Sequence, residues 1–95
     1  MSQLKTDKIT IRGVEYTVRE MSFKTRKAWI QKVKEGDALG SVSLLAASCT
    51  VQPAFSSQEA AEEEAPEVID GLAAKVLHVS GIKTDTETEK EGKKD

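Results

Sequence analysis

The stretch Ile9-Thr10-Ile11-Arg12-Gly13-Val14-Glu15-Tyr16-Thr17-Val18 alternates apolar and polar residues at the strand period on both sides of Arg12-Gly13. With Arg12-Gly13 as a two-residue turn, Ile11 lies opposite Val14 and Ile9 opposite Tyr16. Those four side chains then share one face, with Thr10 and Glu15 on the other. Gly13 is suited to the positive φ that such a turn demands. A β-hairpin is therefore predicted over about residues 8–18. Two strands alone are marginal in water, so the hairpin has to pack on helices or on another subunit.

Beyond the hairpin the period changes from two to that of a helix. Ser22 is a natural N-cap for a helix over about 23–35, with Phe23, Arg26, Ile30 and Val33 on one stripe and Trp29 beside it. Lys24, Lys27, Lys32 and Lys34 decorate the rest, and Gly36 supplies a stop. A second helix is predicted over about 40–51, its apolar face made by Val42, Leu45, Ala46 and Cys49, widened by Leu44, with small residues that permit close packing. Pro53 disfavours helix at Gln52 and marks a connection. Ser57 is placed to cap a third helix over 58–65, with glutamates near its positive end. Pro66 ends or kinks that helix, or opens the next one over about 67–80. In this last helix Val68, Leu72, Val76 and Val79 recur at helical spacing, and Gly71 either weakens it or marks a close backbone contact. The fold class expected is mainly α: a short hairpin, three to four helices and one small domain over 1–82. From Lys83 onward no residue is apolar, so 83–95 is expected to be a disordered charged tail.

Only 38% of the 95 residues are hydrophobic, so the core must be small and partners would add useful burial. The net charge of −2 hides a polar split: residues 1–35 carry nine bases and four acids, whereas 36–82 carry one base and seven acids. The single cysteine, Cys49, excludes an internal disulfide, and no apolar run reaches the roughly 20 residues of a membrane span. With no export signal at the start, a cytosolic location is expected.

The chemistry-bearing residues are few. His78 is the one histidine and falls within the periodicity of the last helix, where packing or a rim position is the plainer role. Cys49 reads as a small buried hydrophobe with nothing cationic beside it in the sequence. No zinc spacing, dinucleotide fingerprint or phosphate loop is present in the sequence. Consecutive glutamates fan around a helix and do not converge on a metal. No catalytic residue, cofactor or metal is therefore assigned, and no enzyme activity is expected. The basic helix suggests nucleic acid, but the acidic remainder of the chain opposes that reading.

The charge split can be satisfied within one chain or between copies. The second option predicts a head-to-tail contact of Arg26, Lys27 and Trp29 with the region of Glu63, Glu67 and Asp70, a heterologous arrangement that gives rings or spirals. Trp29 is either core or an interface anchor. Apolar grooves for a partner are expected around Trp29, Ile30 and Val33 and around Leu72, Val76 and Val79, with some of these residues reserved for the chain's own core.

The run Ile9 to Ser22, in which alternating β-branched residues and a glycine lead through Tyr16 and Val18-Arg19-Glu20-Met21 into a helix, resembles the opening of tail assembly chaperones of long-tailed bacteriophages. The stretch Leu44 to Val51 and the closing helix Val68 to Val79 before a charged tail are similar in layout, so the resemblance covers about residues 8–82. It implies a non-catalytic, oligomeric protein that coats the tape-measure protein before the tail tube polymerises. It also implies a longer frameshifted form that recruits the tail tube protein. The expected location is then the host cell cytoplasm, with absence from the mature virion. A small structural tail or head–tail connector subunit is the alternative, and a DNA-binding regulator a weaker one.

Overall fold

At the hairpin turn Arg12 and Gly13 both have positive φ, 53° and 80°, the pair of left-handed conformations that a tight two-residue hairpin turn needs. In the computed structural model, which describes residues 3–82, this turn joins β1 (Thr6–Ile11) to β2 (Val14–Arg19). Ile9 faces Tyr16 and Ile11 faces Val14, the register that the alternation predicts. Tyr16, Val18 and Ile11 are buried on the shared face, while Val14 at the tip is exposed. The strands extend beyond the predicted range because Glu20 N–H donates to Lys5 O at 2.8 Å and Lys5 N–H donates to Glu20 Oε1 at 2.8 Å.

Three helix boundaries follow the capping chemistry closely. Ser22 Oγ accepts from Thr25 N–H and opens α1 (Phe23–Lys34), which runs into Gly36 at φ 77°. Ser57 accepts from Ala60 N–H and opens α3 (Gln58–Glu62), a single short turn in place of the longer helix predicted to residue 65. Pro66 takes the first position of α4 (Pro66–Val79), where its missing N–H costs nothing, so the proline opens a helix.

The second helix departs from prediction at both ends. α2 (Ala38–Cys49) begins early because Asp37 Oδ1 accepts from Gly40 N–H at 2.9 Å and caps it. It ends at Cys49 because Thr50–Gln52 leave the helix as β3, which pairs antiparallel with β2. The sheet order is β1-β2-β3, with a register shift between Thr17 and Val18 that leaves Val51 without an opposite residue. With helices occupying 54% of the fold the mainly α description fits in outline, yet the three-stranded sheet is a full layer and not an appendage.

The core lies between the sheet and the helix pair α2–α4. Leu45, Leu72, Val18, Val76 and Cys49 are its largest fully buried side chains, joined by Ile69, Val68, Tyr16 and Met21. α2 is the hub, touching α1, α3, α4 and β3. Its small residues make that possible: Ser41, Ser43 and Ala46 are buried on different sides of the same helix. At Gly71 an added Cβ would lie 2.8 Å from Ile11 Cδ1, so the glycine marks a close approach of α4 to the hairpin tip. The segment 83–95, expected to form a charged tail, lies outside the described residues.

Candidate functional site

α1 contributes no buried residue to the fold. It packs against α2, and its half-buried Trp29 packs on the core cluster. Trp29 thus divides between the two roles that its sequence leaves open, packing on the core while remaining partly in solvent. The remainder of the apolar stripe is uncovered: Phe23 is 77% exposed, Val33 52% and Ile30 38%. Arg26, Lys27 and Lys34 are exposed around that stripe, and no acid interrupts Phe23–Lys34. The result is an apolar ridge set in a positive frame. Near its C-terminal end, Lys32 Nζ lies 3.7 Å from Asp37.

A second surface lies on another side of the hub. A groove of about 370 Å3 runs between α2 and α4 with α3 at its margin. Leu39, Val42, Pro66 and Ile69 give it apolar walls, and Glu62, Glu64 and Asp70 surround them with negative charge. Leu39, one residue into α2, is 83% exposed. Ser43 is fixed in the wall because its Oγ donates to Glu62 Oε2 at 2.8 Å and accepts from Gln58 Nε2 at 2.8 Å. This polar clip ties α3 to α2 and sets one margin of the groove.

Of the residues singled out from the sequence, Arg26, Lys27, Ile30 and Val33 share the exposed face of α1, and Asp70 lines the groove. Glu63 caps the end of α3 and faces solvent. Glu67 is occupied locally, with Arg12 Nε donating to its Oε1 at 2.7 Å, so part of the charge split closes within the chain. Leu72 and Val76 are completely buried and belong to the chain's own core, a correction to their assignment as groove residues. Their helical spacing is the same whichever partner they face, which is why the pattern could not separate the two roles. The groove residues Leu39, Val42, Glu62, Glu64, Pro66 and Ile69 were missed. Leu39 was the available signal: an apolar residue in the first turn of α2 that continues the Val42–Ala46–Cys49 stripe past the end of the core.

Cys49 has a cation nearby after all, because Arg19 from β2 reaches it and also donates from its guanidinium to Ser48 O at 3.2 Å. Burial nevertheless dominates and pushes the thiol above its ordinary pKa, with the Arg19 charge and hydrogen bond opposing more weakly. The thiol is a packing group. His78 lies exposed in the last turn of α4. Among the described residues no group of three or more His, Cys, Asp or Glu side chains is arranged to hold a metal ion. No helix among them is long and apolar enough to cross a membrane.

The arrangement offers surfaces for association: a basic apolar ridge and an acidic apolar groove. In comparison with known proteins, no family model, curated protein or solved structure matches the chain.

Proposed function

We propose that this chain is a tail assembly chaperone of a long-tailed bacteriophage, a non-catalytic and oligomeric binder of the tape-measure protein. The observation that carries the reading is α1, a helix that buries none of its residues and presents Phe23, Ile30 and Val33 within a ring of bases. Leaving large apolar side chains in water has a cost of about 25 cal/mol per Å2 that a partner would recover. A long amphipathic partner that aggregates on its own is shielded by such surfaces, while the charged frame keeps the complex in solution. The resemblance in layout over residues 8–82 supplies the identity of the partner.

Co-expression with the tape-measure protein tests the proposal. The long protein is expected in the soluble fraction and in complex with this chain, and Phe23→Ser with Val33→Ser is expected to release it to the insoluble fraction. Purified particles are expected to lack the chain. Its retention in mature virions would favour the structural tail or connector subunit, and a tape-measure protein that stays insoluble with the intact chain would refute the chaperone reading.

A further inference from the structure

We infer that, before the tape-measure protein takes up its ridge, the outer face of α1 from one copy seats in the α2–α4 groove of a second copy of this chain, giving an open head-to-tail assembly. The inference rests on the self-association in the proposed function and names the two surfaces that carry it. Both surfaces are apolar at the centre and charged at the rim, with opposite signs. On α1, Phe23 and Ile30 are seven residues apart and share a face, flanked by Arg26 and Lys27. On the groove, Leu39 and Ile69 are flanked by Glu64 and Asp70.

The groove volume, about 370 Å3, is at the lower end of the roughly 300–1,000 Å3 typical of ligand pockets. It accepts a few apolar side chains from a docking helix and not the helix itself. A ridge of two or three residues on an otherwise polar helix meets that requirement. The chain's own α1 does not fill its own groove, since no α1 residue lines it and Phe23 remains 77% exposed. Because ridge and groove are different surfaces, each added copy leaves one of each unfilled, and the contact propagates without closing into a two-fold dimer. Opposed rim charges steer the encounter and make it sensitive to salt.

Sedimentation of the full chain and two double variants tests the seat. The intact chain is expected to form a concentration-dependent series of oligomers that shortens as salt rises. Phe23→Glu with Ile30→Glu blocks the ridge, and Leu39→Lys with Asp70→Lys blocks the groove; each is expected to be monomeric. Mixed in equal amounts, the two are expected to form a dimer and nothing larger, since one intact ridge then meets one intact groove. All four changed positions are exposed or line the groove, and circular dichroism verifies folding. Should either double variant fail to fold, Lys27→Glu alone is expected to shorten the series, and mixing it with Asp70→Lys chains to restore heteromers. A monomeric parent, a double variant that still assembles like the parent, or a mixture without heteromers would each overturn the seat. Solubilisation of the tape-measure protein by a strictly monomeric chain would sink the seat and the self-association in the proposed function, and leave the binding of the tape-measure protein standing. Normal assembly without solubilisation would sink the chaperone reading and leave the seat standing.

Discussion

Gly71 on α4 lies so close to Ile11 at the tip of β1 that a Cβ there would sit 2.8 Å from Ile11 Cδ1. This contact seats the hairpin on the last helix and explains why a residue that weakens helices occupies the middle of α4. Alanine at position 71 would gain about 1 kcal/mol of helix propensity but would press on Ile11. Removing Cδ1 with Ile11→Val should relieve that pressure. Gly71→Ala is therefore expected to be more favourable in the Ile11→Val background than in the parent by about 1 kcal/mol. A double-mutant cycle from urea unfolding measures the coupling; additive effects would show that the contact does not constrain position 71.

Core and surface apolar residues should separate sharply. Leu72→Ala removes a fully buried side chain and is expected to cost about 2–5 kcal/mol. Phe23→Ser and Leu39→Ser, at positions 77% and 83% exposed, should alter monomer stability by less than about 0.5 kcal/mol. Denaturant midpoints at low protein concentration distinguish the two sets. Stability loss at Phe23 comparable to that at Leu72 would contradict the placement of α1.

Thr50 opens β3 at 5% exposure, and its Oγ1 has no hydrogen-bond partner among the described residues. Valine has nearly the same shape, suits a strand and removes the buried hydroxyl. Thr50→Val is expected to stabilise the fold by about 1 kcal/mol. A lower melting temperature for this variant would mean that the hydroxyl is satisfied.

The pair Asp7–Lys75 links β1 to α4, with 3.0 Å between Lys75 Nζ and Asp7 Oδ2. The Lys75 hydrogen bond, then the Lys8 N–H, then the Lys75 charge hold the Asp7 carboxyl below its ordinary pKa, and the His78 charge acts in the same direction. A depressed folded-state pKa means that the unfolded chain binds the proton more readily. The contribution is therefore complete above the ordinary carboxylate value of about 3.9 and is lost as pH falls through the lower folded value. Compared with Asp7→Asn, the parent should be more stable at neutral pH, with the gap closing in strong acid and shrinking in high salt. Urea midpoints at several pH values give the comparison, and a gap independent of pH would exclude the ion pair as its source.

Most local structure was legible because it depends on nearest neighbours. The hairpin register follows from alternation around Arg12-Gly13, and the Ser22 and Ser57 caps follow from side-chain oxygens next to helical periodicity. β3 was not legible: Thr50-Val51-Gln52 continue the apolar character of α2, and only pairing with β2, distant in sequence, draws them out of the helix. The groove was hidden for the same reason, since Leu39 and Ile69 meet only after folding. Sequence periodicity identified apolar stripes on both α1 and α4, but the hub position of α2 decides which stripe is consumed by the core.

A helix with no buried residue, packed chiefly on α2, is the part of this molecule that can let go without the rest following. Amide protons of α1 should exchange with deuterium through a local opening, well before those of β2 and the buried turns of α4. Such a detachable arm would exchange one apolar resting place for another at little expense to the body it leaves behind.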